Sequence, residues 1–241
     1  MGAGLLTGRW ALAIVAAATL AACSPSMAAS QATVSRDATT ASSPPAAAAQ
    51  ATPVEAQELT ASGPVTFAVV GDSLSLGNSP DFDGGVAGNL SWVYWAQGDD
   101  ATFVGGTAEV GAASWSQARR AVPIDADVLV MALGTNDMSA DASFAATAEA
   151  LTQIAATVGA PRVLVLSVPP RRYEREPSTV EFNGWLQGLA AEHDWQFVDA
   201  ARVVRDGDTW ADGMTGDGIH YSNEAIPLVG AYVGFALRAG G

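Results

Sequence analysis

The stretch VTFAVVGDSLSLG, Val65–Gly77, decides how the rest of the chain is read. Its first six residues are a short, continuous, β-branched apolar run, the pattern of a strand buried on both faces. A serine framed by glycine, aspartate and leucine follows at once. By itself Gly71-Asp72-Ser73-Leu74-Ser75 suits an ordinary strand-to-helix turn as well as it suits a nucleophile. The surrounding chain has to separate the two.

Working outward, apolar runs at Thr102–Val104, Asp127–Leu133 (DVLVMAL), Arg162–Val168 (RVLVLSV) and Gln196–Val198 predict four further strands. Helical patterns lie between them, around Gly88–Trp95, Ser114–Ala121, Ser143–Val158, Ser178–His193 and Asn223–Arg238. Ser143 and Ser178 are the expected N-caps. Phe182, Trp185, Leu186 and Leu189 share one face at helical spacing, which is core packing. Strand–helix alternation of this kind implies a three-layer α/β/α sandwich on a five-stranded parallel sheet. Ligands bind such sheets beyond the carboxyl ends of the strands, so chemistry-bearing residues are expected directly after the strands.

They occur there. Gly71-Asp72-Ser73 follows the first strand, and a glycine-rich stretch ending in Gly111-Ala112-Ala113-Ser114 follows the second. Gly134-Thr135-Asn136-Asp137 follows the third, and Asp217-Gly218-Ile219-His220 precedes the last helix. Each block alone is weak; the four in this order are a strong signal. From about Val65 to Arg238 the chain resembles the SGNH/GDSL hydrolases, whose fold is flavodoxin-like. The resemblance matches Ser73, Asn136 and His220 to the family's serine, asparagine and histidine, and Asp217 to the aspartate three residues before that histidine. Gly111 is the match for the block II glycine, with Gly105 and Gly106 as near alternatives.

These residue types also make chemical sense. A serine hydroxyl is a poor nucleophile until a base takes its proton. Only His193 and His220 could serve. His193 ends a predicted helix, where a polarised side chain suits the dipole. His220 has an aspartate three positions earlier, and that spacing lets the carboxylate hold Nδ1–H while Nε2 faces the serine. Acyl transfer also needs donors where negative charge develops; the resemblance implies the N–H groups of Ser73 and Gly111 and the Asn136 amide. Asp72 and Asp137 read as organisers of their turns. No GxSxG elbow surrounds Ser73, which argues against an α/β-hydrolase proper.

Other features take plainer readings. Asp81, Asp83, Asp99 and Asp100 lack metal-site spacing, and neither a metal nor an organic cofactor is expected. Trp92, Tyr94, Trp95 and Trp115 read as core packing in preference to an acyl or sugar pocket. Arg171, Arg172 and Arg175 after the fourth strand are nearly cancelled by Glu174 and Glu176, so a solvated loop is expected.

The 241 residues carry a net charge of −14 with only 11 Lys and Arg, which argues against nucleic-acid partners and against electrostatic binding to anionic lipid. Residues 1–22 read as an export signal, with one arginine, a short apolar stretch and small residues. They end in Leu20-Ala21-Ala22-Cys23, which resembles the lipobox of bacterial lipoproteins and implies lipidation of Cys23. The other reading is a soluble secretory signal. With a single cysteine, no disulfide forms within the mature chain. Residues 23–62, rich in Ala, Ser, Thr, Pro and Gln, cannot offset their ordering entropy and read as a flexible tether with a reach of about 35 Å. The hydrolase domain is then 63–241.

The expectation is a monomeric serine esterase or acyl hydrolase, anchored at the outer face of a bacterial membrane or secreted. Its substrate is a short-chain ester or an acylated polysaccharide. An O-acyltransferase of the same fold and a non-catalytic surface binding module are the alternatives.

Overall fold

The apolar runs take their expected places in a computed structural model, which describes residues 64–140, 142–172 and 177–239. Strands β1 (Val65–Gly71), β2 (Ala101–Ala108), β3 (Val128–Ala132), β4 (Arg162–Leu166) and β5 (Gln196–Val198) form one sheet, ordered β2-β1-β3-β4-β5. Every neighbouring pair is parallel. The helices are α1 (Ser73–Leu76), α2 (Trp92–Ala96), α3 (Ser114–Ala118), α4 (Thr135–Ser139), α5 (Phe144–Val158), α6 (Thr179–Glu192) and α7 (Ala225–Arg238). A 3₁₀ turn at Ala200–Val203 and a two-stranded hairpin of β6 (Arg205–Asp206) and β7 (Thr209–Trp210) lie between β5 and α7.

Alternate residues of each strand feed two separate cores, as the pleat requires. Phe67, Val69, Val128 and Val130 pack with Trp92 and Val93 of α2 and Val229, Val233 and Leu237 of α7. Ala68, Val70, Leu129 and Met131 pack with Leu151 and Ile154 of α5 and Phe182 and Leu186 of α6. Burying each of the larger side chains is worth about 1.5–3 kcal/mol. Because both faces are covered, β1, β3 and β4 read as largely unbroken apolar runs.

Caps fix the helix positions. Ser143 accepts from Ala146 N–H, and Ser178 forms a reciprocal capping box with Glu181. Arg162, at the start of β4, donates to the carbonyls of Ala236 and Leu237 and closes the C-terminal end of α7.

The structure departs from the sequence reading in several places. β2 continues to Ala108 through Gly105 and Gly106, two residues without strand propensity. Gly106 is there because a Cβ at that position would lie 1.8 Å from the Val69 carbonyl oxygen of the neighbouring strand. The helix expected over Gly88–Trp95 is confined to Trp92–Ala96, where Ser91 caps Val93 N–H. The aromatic cluster expected in the core is divided. Trp92 is 1% exposed, whereas Tyr94, Trp95 and Trp115 are 47%, 45% and 47% exposed. The signal (1–22), the tether (23–62) with Cys23, and Glu174, Arg175 and Glu176 lie outside the described residues.

Candidate active site

In this strand order β1 stands between β2 and β3, so the chain leaves β1 toward one side of the sheet and later returns on the other. That is the topological switch point, where the loops diverge and open a crevice. Ser73 follows β1 and Asn136 follows β3, so both stand at its edge.

Asp72 caps α1, its Oδ1 accepting from Leu74 N–H at 2.9 Å. Ser73 is therefore the first residue of a helix, and its N–H has no carbonyl partner within that helix. The turn ahead of α7 is built around another aspartate. Asp217 Oδ1 accepts from Ile219 N–H and His220 N–H, both at 2.8 Å, and Oδ2 lies 2.7 Å from His220 Nδ1. Gly218 takes φ +81°, and a Cβ there would come within 2.2 Å of Arg172 Cβ, so only glycine fits this turn. Its carbonyl accepts from Arg172 N–H (2.8 Å) and from Trp210 Nε1–H (3.2 Å), which ties the turn to the segment after β4 and to the β6–β7 hairpin.

His220 Nε2 lies 2.9 Å from Ser73 Oγ. The tautomer follows from the partners. An ionised carboxylate only accepts, so Nδ1 carries the proton given to Asp217, and Nε2 presents a lone pair to the Ser73 hydroxyl. Partial desolvation pushes Asp217 upward, but the hydrogen bonds from the His220 ring, His220 N–H and Ile219 N–H outweigh it and hold the carboxyl well below its ordinary range. His193, the other candidate base, ends α6, stacks on Trp195 with ring centroids 4.4 Å apart, and takes no part in this chain.

Asn136 sits in the first turn of α4. Its Nδ2 donates to Asp72 Oδ2 and to the Ala112 carbonyl, each at 3.0 Å. Gly111 lies beyond the end of β2, in a turn closed by Ala112 N–H on the Glu109 carbonyl, at φ +74° with open space around it. Gly105 and Gly106 are inside β2, paired with Ala68 and Val69. Of the three glycines, Gly111 alone stands in the loop that touches Asn136.

Residues 69–225 match the model of the GDSL-like lipase/acylhydrolase family. The chain belongs to that family. It is accordingly an ester-hydrolysing serine hydrolase. Its fold matches that of a Desulfitobacterium hafniense protein described as a lipolytic member of the G-D-S-L family, at 17% identity and a TM-score of 0.59, covering 71% of this chain and 98% of that one. It also matches the aryl esterase of M. smegmatis (19% identity, TM-score 0.53, 73% and 99% covered) and a lipase/acylhydrolase of Enterococcus faecalis (17%, 0.53, 72% and 95%). No curated protein matches the sequence.

In this GDSL hydrolase two further aspartates do more than their sequence positions announce. Asp137 is fully buried. Its Oδ2 accepts from Ser114 N–H (3.0 Å) and Ser114 Oγ–H (3.1 Å), and its Oδ1 from Thr147 Oγ1–H (3.1 Å). One carboxylate thus fastens α3, α4 and α5 together behind the site. Asp72 is 1% exposed, and burial pushes its carboxyl up to about 7 against the opposing effects of Leu74 N–H and nearby His220. Tyr221, next in sequence to the histidine, shares a small cavity with Asp72, and burial together with the Asp72 charge pushes its phenol well above its ordinary value. The Asp72–Asn136 bond spans 64 positions and leaves no local pattern. The only sequence signal for it was an aspartate directly ahead of the serine. Arg171 reaches Ser139 Oγ of α4 at 2.8 Å, and Arg172 is exposed with its backbone on Gly218.

Proposed function

We propose that Ser73, His220 and Asp217 form the catalytic triad of a serine esterase that works through an acyl-enzyme. The observation that carries this reading is the continuous chain Ser73 Oγ–His220 Nε2 at 2.9 Å and His220 Nδ1–Asp217 Oδ2 at 2.7 Å. Ser73 Oγ attacks the ester carbonyl carbon as His220 Nε2 takes its proton. The negative charge collects on the former carbonyl oxygen, where the N–H groups of Ser73 and Gly111 and the Asn136 amide stabilise it. The tetrahedral adduct collapses as Nε2–H protonates the departing alcohol oxygen. Water then repeats the sequence on the acyl-enzyme, releasing the carboxylic acid and restoring Ser73. Asp217 holds the ring in the productive tautomer throughout.

Both triad partners are open to water, His220 with 47% and Asp217 with 56% of their side-chain surface exposed. An open centre supports small or polymer-borne esters, such as acetyl groups on sugars, over long acyl chains that need an enclosed tunnel. Residues 1–22 and Cys23 support export and lipid anchoring, with the 23–62 tether extending the domain from the membrane.

Hydrolysis of p-nitrophenyl acetate, butyrate and longer esters tests the reading. The wild-type protein should turn over the shortest esters fastest, and Ser73→Ala should lose roughly 10⁶-fold in kcat. Equal rates for wild type and Ser73→Ala at every chain length would overturn it. Anchoring is tested separately by fatty-acid labelling, which Cys23→Ser should abolish.

A further inference from the structure

Both hydrogens of the Asn136 side-chain amide are taken, one by Asp72 Oδ2 and one by the Ala112 carbonyl, each at 3.0 Å. An amide nitrogen has only two to give. The two acceptors differ in kind. Asp72 is buried, and its other oxygen is fixed by Leu74 N–H, so Oδ2 cannot turn away without uncapping α1. Ala112 offers a neutral carbonyl from the loop that joins β2 to α3, next to exposed Gly111 at φ +74°. A developing oxyanion is a stronger acceptor than a neutral carbonyl. It can therefore draw away the hydrogen on Ala112, in an open loop, far more readily than the one held by the buried, cap-fixed Asp72 side chain.

We propose that Asp72 is a positioning residue for oxyanion stabilisation. It pins one amide hydrogen of Asn136, so that the other turns from the Ala112 carbonyl to the substrate oxygen as charge develops. This inference rests on the role given to Asn136 above and assigns Asp72 no contact with substrate. Without the pin, the amide is free to rotate by half a turn about its last torsion and present its oxygen to the oxyanion, which repels it. Asp72 thus sets the sign of the dipole that the substrate meets.

Two substitutions separate the pin from the cap. Asp72→Ser keeps an N-cap hydroxyl for Leu74 N–H but is too short to hold Asn136. Asp72→Asn keeps an oxygen for the cap and turns an NH₂ toward the Asn136 NH₂, donor against donor. In the full-length protein acting on p-nitrophenyl acetate, both should lower kcat by about 10- to 100-fold and leave KM within about threefold, because the ground-state carbonyl does not need the donor. In an Asn136→Ala background the same substitutions should cost nothing further. Unchanged kcat in Asp72→Ser, or losses that simply add to that of Asn136→Ala, would overturn the proposal.

A readout independent of turnover is hydrogen exchange at the Asn136 side-chain amide, followed by ¹⁵N NMR. Protection should be present in wild type and in Ser73→Ala and lost in Asp72→Ser; equal exchange in all three refutes the pin. If the wild-type protein hydrolyses no ester, the functional reading fails while this exchange experiment still decides whether Asp72 holds Asn136.

Discussion

Asp217 and Asp72 lie on either side of the same serine, yet they meet opposite environments. More than half of the Asp217 side-chain surface is open to water, whereas Asp72 is 1% exposed, and buried Asp137 stands behind it. Asp217 is held ionised by three hydrogen bonds from its own turn. Asp72 is pushed toward its neutral form by burial, to about 7. The difference teaches that the two halves of the site are stabilised by different means. The proposed proton-transfer half is a local turn that water can partly replace. The proposed oxyanion half joins distant residues at buried Asp72, where a lost partner leaves a polar group unsatisfied.

The largest expected effect tests the open half. Asp217→Asn keeps the Oδ1 acceptor for the turn but removes the charge and favours the wrong tautomer of His220. In a buried triad such a change costs about 10⁴-fold in kcat. Here solvent can take over part of the role, and a fall of about 10²- to 10³-fold is expected, measured with p-nitrophenyl acetate. A full 10⁴-fold loss would show that the exposed aspartate acts as strongly as a buried one.

The buried half should announce itself in the pH dependence of stability. Native Asp72 holds its proton up to about 7, while the unfolded chain releases it near the ordinary aspartate value of 3.8. Between these limits the native state binds more protons, so Asp72 makes the protein less stable as pH rises from about 4 to about 7. The full effect is on the order of 4 kcal/mol. Denaturant unfolding from pH 4 to 8 should therefore show a downward contribution that Asp72→Asn removes. The depressed Asp217 carboxyl acts with the opposite sign, its stabilising contribution fading as the pH falls below the ordinary carboxylate range. If Asp72→Asn and wild type lose stability in parallel over this interval, Asp72 is not the buried acid described here.

Asp137→Ala comes next. It leaves Ser114 N–H, Ser114 Oγ–H and Thr147 Oγ1–H without their acceptor in a dry environment. The expected cost is about 3 kcal/mol, equivalent to a fall in Tm of roughly 6–12 °C for a domain of this size. A Tm within 2 °C of wild type would mean that the three helices are fastened by packing alone.

The contrast between the halves also explains what could be read in the sequence. Strands β1, β3 and β4 were legible because both sheet faces are covered, which makes each a largely uninterrupted apolar run. The Asp217–His220 pair was legible because it is a contact between residues three apart. The short helices α1 and α4 were not foreseen. Each holds at most five residues, too few for a periodic pattern, and each owes its place to its contacts: Asp72 caps one, and Asp137 fastens the other. Nor was the Asp72–Asn136 bond, since only the folded sheet brings β1 and β3 side by side. Gly105 and Gly106 hid the second half of β2 because their value lies in close backbone approach, of the Asp83 carbonyl to Gly105 and of the neighbouring strand to Gly106, which no propensity records.

The last comparison, which ends on the smallest effect, tests the boundary between dry and wet at a single residue type. Trp92 and Trp115 were read alike from sequence, but Trp92 is buried with Nε1 donating to Ser75 Oγ at 3.1 Å, and Trp115 is about half exposed beneath the Arg119 guanidinium at 4.4 Å. Trp92→Ala leaves a cavity between α2 and the sheet and deprives buried Ser75 of its partner, at about 3–5 kcal/mol. Trp115→Ala removes one surface cation–π contact and part of an apolar face, about 1 kcal/mol or less. Trp115 sits at the start of α3, one residue past Ser114, which Asp137 holds, so the same variant also probes the rim of the site. A rise in KM for aryl esters at unchanged stability would make Trp115 a substrate contact; unchanged KM with lowered stability would make it packing after all.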